Sequence, residues 1–513
     1  MSGRIIGTVV VLVLIVLSLA MVGNSMTKPV GRDEHMYCTG AVLMAQGKTI
    51  YRDFSYAAQM PYHPLLCAAL FKLFGTTHYL LTVRLLSCVC DILIMLCILG
   101  IYRHVFKSSS AAGTLLGLGA VILYVFNPLV DYANGYAWNH DVVILCVVAS
   151  FWIFISTDFE QRFKYWRIAA MGALLTLATC MRSTTILVEF LFFAVLLSLP
   201  AKSLKQRFVT ALPFLLAAAL VSIWPLTVIA RAPRAFYLNM IRIPTLYGQW
   251  LHEIGMVHEK SALTLFCLTT PGYFVLLAFA LYLALIVLFL RRKVKIPDAR
   301  KLVLAGLLPV SFFAIALIPP TMWRQYFAIP VPFIVIGLAL PLYYLQQLPS
   351  KTGIGRHFKI AGILMGVAVL VAVMGCPYVL YRVPIALVPE GWVPLELHRV
   401  SQDIGAKTKE PRLVLTLAPL FALEGGCEIY PELSCGSVIY RAADALSPED
   451  RATTNTVGRE TLAELIDEKP PSAVILGMEQ GKLAVLEEPL RAAAGPDWEK
   501  KAYEFGPSVC FKP

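Results

Sequence analysis

The side chains best suited to chemistry are concentrated in one polar stretch, residues 28–64. It contains two adjacent carboxylates, Asp33 and Glu34, and the basic side chains Arg32, Arg52 and His63, in a chain of which only 15% is charged. A carboxylate can take a proton from a hydroxyl group, and a guanidinium group can hold a phosphate. Because the stretch directly follows an apolar run, this pattern indicates chemistry at a membrane surface.

Two later groups of polar residues also lie where the chain enters an apolar run. The first comprises His140 and Asp141, and the second comprises Arg324 and Tyr326. We expect all of these groups at one membrane face, where they could line a common cavity. Charged side chains at the ends of spans are also commonly solvated or extended along the span towards water, so each residue alone has an equally ordinary explanation.

The composition is that of a membrane protein. The chain has 513 residues, 58% of them hydrophobic, and a mean hydropathy of +0.70. Its net charge of +12 comes from Lys and Arg collected in short connections between apolar runs, which is the pattern of cytoplasmic loops. We therefore exclude nucleic acid as a partner.

The apolar runs predict about eleven crossings, with the N-terminus in the cytoplasm. The first run, Ile5 to Val22, is too long for a signal-peptide core and is expected to remain as an anchor. Residues 168–199 have basic residues at both ends, which predicts two short helices broken around Arg182 and Ser183. Arg182, Asp91 and Glu189 lie in apolar surroundings, where ionisable groups are often functional; structural pairing between spans explains them nearly as well.

The composition changes after Arg382. We predict a transmembrane domain over residues 1–382, with its first external loop at 24–78, and a small external α/β domain over 383–513. The runs at 413–417 and 472–477 have the composition of strands, and the segments 458–468 and 481–494 that of helices. Cys427 and Cys435 could form a disulfide in an oxidising compartment.

GRDEHMY at 31–37, AQGKTIYRDF at 45–54, RLLS at 84–87, Asp141 and residues 324–336 together resemble features of the C-type superfamily of integral-membrane glycosyltransferases, in the branch related to protein O-mannosyltransferases and the lipid A aminoarabinose transferase. GRDEHMY at 31–37 is similar to the acidic first-loop motif, and AQGKTIYRDF at 45–54 is similar to the segment that follows it. RLLS at 84–87 resembles the opening of the second span. Asp141 matches a second acidic position, and residues 324–336 resemble the entry to a late span.

This resemblance implies the C-type glycosyltransferase fold and an inverting hexosyl or pentosyl transfer. The donor would be a polyprenyl-phosphate sugar and the acceptor a lipid, a glycan or a protein, at the outer face of a bacterial inner membrane. Asp33 would be the general base, with Glu34 beside it and Asp141 orienting the acceptor or a basic neighbour. The residues expected to bind the donor phosphate or substrate are Arg32, Arg52, His63, His140, Arg324 and Tyr326.

No cofactor is expected. A divalent ion could be drawn between His35, His63 and His140, but their spacing is not that of a metal site, and the branch generally works without one. The alternative function is a transporter or flippase of lipid-linked sugars, which predicts charges near mid-span and a repeated half-structure. A scaffold that recruits a partner would leave the first loop unexplained.

Overall fold

The structure is a computed structural model that describes residues 3–160, 164–200, 202–257, 259–290, 299–348 and 355–513. Within these ranges the chain is mostly helical. In chain order the helices are α1 (Gly3–Thr27), α2 (Arg32–Ala45), α3 (Tyr62–Phe74), α4 (Tyr79–Val105), α5 (Ser110–Val125), α6 (Pro128–Ala133), α7 (His140–Ser156), α8 (Lys164–Thr179), α9 (Ile186–Leu197), α10 (Leu204–Arg231), α11 (Pro233–Tyr237), α12 (Ile243–Glu253), α13 (Lys260–Thr269), α14 (Pro271–Leu290), α15 (Ala299–Leu317), α16 (Pro330–Gly337), α17 (Ala339–Gln346), α18 (Gly355–Gly375), α19 (Tyr378–Tyr381), α20 (Val393–Lys407), α21 (Pro419–Glu424), α22 (Ser437–Tyr440), α23 (Pro448–Thr454), α24 (Leu462–Glu468) and α25 (Glu488–Ala492).

Eight helical segments in the described ranges are long and apolar enough to cross a membrane. They are α1, α4, α5 with the turn before it, α10, α14, α15, the segment that contains α16 and α17, and α18. The other three predicted crossings correspond to α7, α8 and α9, which have 17, 16 and 12 residues. The predicted class, a polytopic helical membrane protein, is confirmed; the total of eleven crossings stays a prediction.

The interruption predicted within residues 168–199 is present. Helix α8 ends at Thr179, a 3₁₀ turn covers Ser183–Thr185, and α9 begins at Ile186. Arg182 lies between the helices with an extended backbone. The break therefore places a guanidinium group at a gap between two apolar helices.

The C-terminal region contains a five-stranded sheet in the order β2-β1-β3-β5-β4. The strands are β1 (Leu413–Thr416), β2 (Glu428–Ile429), β3 (Ala473–Leu476), β4 (Glu499–Ala502) and β5 (Ser508–Phe511). Strand β1 runs parallel to β2 and β3, whereas β5 runs antiparallel to β3 and β4. Both predicted strands, β1 and β3, are confirmed, as is the small α/β domain; the boundary at residue 382 stays a prediction.

The two segments predicted to be helical in this region differ in how regular they are. The first contains α24, whereas the second begins with a 3₁₀ helix, Gly481–Glu487, and continues into α25. Both segments therefore contain the predicted helical structure.

Helix α2 lies in a packed layer between the membrane helices and the C-terminal region. One apolar cluster joins Cys38 and Ala41 of α2 to Phe71 of α3, Val83 of α4 and Phe421 of α21. A second cluster joins the opposite side of α2 to residues near α12 and α22. Because its apolar faces are covered from both sides, α2 holds its first turn, and the two adjacent carboxylates there, in a fixed position.

Candidate active site

The two adjacent carboxylates of α2 have opposite environments. Glu34 is fully buried and accepts four hydrogen bonds: from Arg84 Nε (2.8 Å) and Nη2 (2.7 Å), from Ala137 N (2.6 Å) and from Gly31 N (2.8 Å). Asp33 is partly buried and has no hydrogen bond or ion pair with any residue that the structure describes. Consecutive residues of a helix point about 100° apart, so one carboxylate faces the protein interior while the other is available to a ligand.

The ion pair between Glu34 and Arg84 fixes the start of α2. Arg84 is also fully buried, and its remaining donors reach the carbonyl oxygens of Ser25 (2.8 Å), Lys28 (2.9 Å) and Pro29 (3.2 Å). A buried pair of this kind is stable when its other donors and acceptors are also satisfied, as they are here. Glu34 thus helps to fix the start of α2, and its predicted catalytic role stays a prediction.

The electrostatic surroundings of Asp33 explain its protonation behaviour. Burial raises the pKa of Asp33 above its ordinary value; Arg441 lowers it, Glu34 raises it and Arg32 lowers it, in decreasing order of effect. The helix dipole at the first turn of α2 favours the charged carboxylate and so opposes this rise, but burial is the largest effect. Asp33 is therefore a carboxylate of raised basicity, as a general base requires.

A group of aromatic and cationic side chains surrounds Asp33. Asp33 interacts electrostatically with Tyr37, one turn further along α2, and with Tyr247 and Tyr326. Arg182 interacts with Tyr37 as well, and its guanidinium carbon lies 5.3 Å from the centre of the Tyr326 ring. Residues that are distant in sequence therefore meet around one acid.

Arg182 is a cation without a carboxylate partner in the described part of the chain. The acids that could have paired with it inside the membrane are otherwise engaged: Asp91 accepts from Tyr124 (2.9 Å) and Asn134 (2.7 Å), and Glu189 accepts from two threonines on α8. Arg182 therefore forms an ion pair with neither of these two acids. Its charge remains available for an anion.

The C-terminal region contributes Arg441 to the same neighbourhood. Both carboxylate oxygens of Glu479 lie 3.0 Å from Arg441 Nη2, and Arg441 Nη1 donates to Tyr247 Oη (3.1 Å). The other partner of Glu479 is Arg32, at 3.1 Å. The sequence did not point to Arg441 or Glu479, since neither lies in a recognisable motif and both are more than 400 residues from Asp33.

Two other predicted site residues, Arg324 and His63, lie against aromatic rings. Arg324 faces the rings of Tyr132 and Phe266, at 4.6 and 4.9 Å, and its Nε has no partner among the described residues. His63 packs edge-on against Tyr37, with ring centres 5.3 Å apart, and burial lowers its pKa to about 3. His63 thus borders the residues around Asp33 through Tyr37, and Arg324 precedes Tyr326 by two residues in the chain.

Arg52 lies apart from the group around Asp33, whereas His140 interacts with one of its members. Arg52 is exposed and pairs with Asp53 at 2.7 Å. His140 is buried near Trp138, with ring centres 6.1 Å apart, and both Arg182 and Lys28 act on it electrostatically. The structure therefore does not bring Arg52 to Asp33, and the predicted phosphate-binding role of this arginine stays untested.

Asp141 belongs to a separate buried network. Its Oδ2 accepts from Gly135 N (3.1 Å), and Lys28 and Asp91 act on it electrostatically. Lys28 Nζ donates to the carbonyl oxygens of Asp131 (2.8 Å) and Asn134 (2.6 Å). Among the described residues no contact joins Asp141 to Asp33, and its predicted role in orienting the acceptor or a basic neighbour stays a prediction.

The structure also shows where the cysteines and the three histidines considered for a metal site lie. All twelve cysteines are buried and free, including Cys427 and Cys435, which therefore form no disulfide in this structure. His35 packs near the ring of Phe421, and burial lowers its pKa to about 4. In the described ranges His35, His63 and His140 do not come together as a group with metal-binding geometry.

Comparison with protein families finds a match within the membrane part of the chain. Residues 58–226 match the family model described as dolichyl-phosphate-mannose-protein mannosyltransferase. The match contains Arg84, Asp141 and Arg182, and it begins after Asp33. No curated protein sequence matches the chain.

Comparison with solved structures extends the similarity to the whole chain. ArnT from Cupriavidus metallidurans bound to undecaprenyl phosphate has a TM-score of 0.61 and 15% identity, with 98% of each chain covered. Its apo state has a TM-score of 0.62 and 15% identity, covering 99% of this chain and 98% of the other. The Archaeoglobus fulgidus oligosaccharyltransferase tethered to an acceptor peptide has a TM-score of 0.50 and 13% identity, covering 94% and 71%. The predicted resemblance to the C-type superfamily is confirmed.

Proposed function

We propose that this chain is an inverting glycosyltransferase that moves a sugar from a polyprenyl-phosphate donor to a lipid, glycan or protein acceptor at the outer face of the bacterial cytoplasmic membrane. The observation that carries the proposal is the carboxylate of Asp33, which has no partner among the described residues and acts electrostatically on the same two tyrosines, Tyr37 and Tyr326, as the guanidinium of Arg182. The family match over residues 58–226 and the fold shared with ArnT, whose structure contains undecaprenyl phosphate, support it.

In the proposed reaction Asp33 takes the proton of an acceptor hydroxyl. The acceptor oxygen then forms a bond to the anomeric carbon while the bond from that carbon to the phosphate oxygen breaks, so the configuration inverts. Negative charge grows on the departing phosphate, and a fixed cation aimed at that charge lowers the barrier. Arg182 would supply this cation, since no described carboxylate neutralises it.

The remaining residues would shape the pocket. Arg324 and Tyr326, which follow one another closely before α16, would border the donor phosphate. Glu34 would hold Asp33 in place through Arg84. Asp141 would act indirectly, by keeping Lys28 and the loop at 131–141 in position.

The proposal is tested in detergent with purified protein. Polyprenyl-phosphate sugars are supplied with and without an extract of membrane lipids and glycans, and free polyprenyl phosphate is measured. We expect release that requires the acceptor, and a product whose anomeric configuration, read by NMR, is opposite to that of the donor. Binding of the donor without any turnover would instead indicate a transporter, because detergent removes the two compartments that transport needs.

A further inference from the structure

Three metal-ligating side chains meet on the side of α4 that faces the C-terminal region. They are His78, immediately before α4, His398 of α20 and Glu424 at the end of α21, and their ligand atoms all lie within 4.8 Å of one another. His398 Nδ1 is 2.8 Å from Glu424 Oε2, and the two imidazole rings have centres 3.6 Å apart at an angle of 30°. Parts of the chain more than 300 residues apart thus converge on one point.

The hydrogen bonding of this trio is incomplete. Glu424 is fully buried, and its Oε1 accepts from Leu80 N at 2.8 Å, which fixes the carboxylate against the first turn of α4. His78 Nδ1 is buried and has no hydrogen-bond partner among the described residues. A buried ring nitrogen without a partner is unfavourable, whereas a bound cation would satisfy it. The two closely packed imidazoles would also be held together by a shared ion.

We propose that His78, His398 and Glu424 bind a divalent transition-metal ion, with zinc as the preferred ion. Two imidazoles and one carboxylate are a typical zinc ligand set, and zinc bound by three protein ligands keeps a fourth position for water. Imidazole ligands disfavour magnesium and calcium, which prefer oxygen. The partial exposure of His78 and His398 gives the ion a route from solvent.

Binding needs a rearrangement of all three ligands, including His78, whose ligand atom lies within 4.8 Å of the other two. Two ligands about 2.0–2.1 Å from a tetrahedral zinc ion lie roughly 3.4 Å apart, so His398 Nδ1 and Glu424 Oε2 must separate by about half an ångström. Any proton shared between them leaves to solvent, and zinc takes its place. Glu424 keeps its bond from Leu80 N, which orients the carboxylate as an outer hydrogen bond does in other zinc sites.

The consequence is a clamp between two parts of the candidate active site. Helix α4 carries Arg84, which positions Glu34 beside Asp33, and the C-terminal region carries Arg441. A metal ion between α4 and the two helices α20 and α21 would fix these parts relative to each other. The clamp is independent of the transfer reaction, so its test does not depend on the proposed function.

The test uses the full chain in detergent, stripped of metal with a chelator and titrated with zinc by calorimetry, with metal content measured after dialysis. We expect one zinc ion per chain in the wild type. In His78→Ala and His398→Ala the affinity should fall by more than the roughly 10- to 100-fold that the loss of an outer-shell partner costs. His252→Ala, which removes an exposed histidine of α12, is the matched control and should bind as the wild type does.

A second measurement covers variants that fold poorly. Zinc should raise the melting temperature of the wild type and of His252→Ala, and it should leave that of His398→Gln unchanged. A wild type that retains no zinc at micromolar concentration overturns the proposal, and so does unchanged binding in the His78 and His398 variants.

Discussion

The ion pair between Arg84 and Glu34 gives a prediction that can be worked from the structure. Arg84→Met keeps most of the side-chain volume but removes every donor to Glu34 from the guanidinium group, leaving the carboxylate only Ala137 N and Gly31 N. It also leaves the carbonyl oxygens of Ser25 and Lys28 without this donor. Breaking a buried ion pair by removing one partner costs about 3–5 kcal/mol, because a buried charge loses its compensation. We therefore expect Arg84→Met to be strongly destabilised.

The assay follows the unfolding of the detergent-solubilised protein with a thiol-reactive fluorescent dye. The dye is suitable because all twelve cysteines are buried in the folded chain and become reactive on unfolding. The double variant Glu34→Gln/Arg84→Met removes the uncompensated charge and should recover a large part of the lost stability. If Arg84→Met melts within a degree or two of the wild type, the ion pair does not hold α2 in place and the positioning argument for Asp33 is refuted.

Two further predictions concern the reaction. Because burial raises the pKa of Asp33 and a base must be deprotonated, transfer should rise with pH through a value above the ordinary aspartate pKa of about 3.9. Arg441→Gln removes a charge that lowers this pKa, so the acidic limb of its pH–rate profile should move to higher pH. An acidic limb that stays fixed would exclude Asp33 as the titrating base. Arg182→Gln should reduce turnover on the order of 10²- to 10³-fold, as the loss of a group that stabilises transition-state charge does, without lowering the melting temperature. Arg52→Gln, whose arginine pairs with Asp53 at the surface, is the control and should keep near-normal turnover; equal losses in both variants would mean that Arg182 has no special role.

Much of the membrane architecture could be predicted because it depends on local composition. The break at Arg182 follows from basic residues at both ends of one apolar segment, and the strands at 413–416 and 473–476 follow from short β-branched runs. Both features are set by neighbours in sequence. The three shorter predicted crossings, α7, α8 and α9, are present as helices, but their crossing of the membrane stays a prediction because each is shorter than a full bilayer span.

The different environments of the two adjacent carboxylates could not be predicted from the sequence. Asp33 and Glu34 are adjacent and chemically alike, and their roles differ because Arg84, fifty residues later, reaches one and not the other. Arg441 and Glu479 were missed for a related reason, since only tertiary packing brings the C-terminal region over α2. Arg52 was chosen by chemistry alone, and its neighbour Asp53 already neutralises it.

The most direct test of the account compares the wild type with Asp33→Asn in the detergent transfer assay. The change removes a proton acceptor and keeps the shape of the side chain. We expect acceptor-dependent release of polyprenyl phosphate to fall on the order of 10²- to 10⁴-fold, which is the contribution of a positioned general base, with an unchanged melting temperature. Near-normal transfer by a folded Asp33→Asn protein would contradict the assignment of Asp33 as the base.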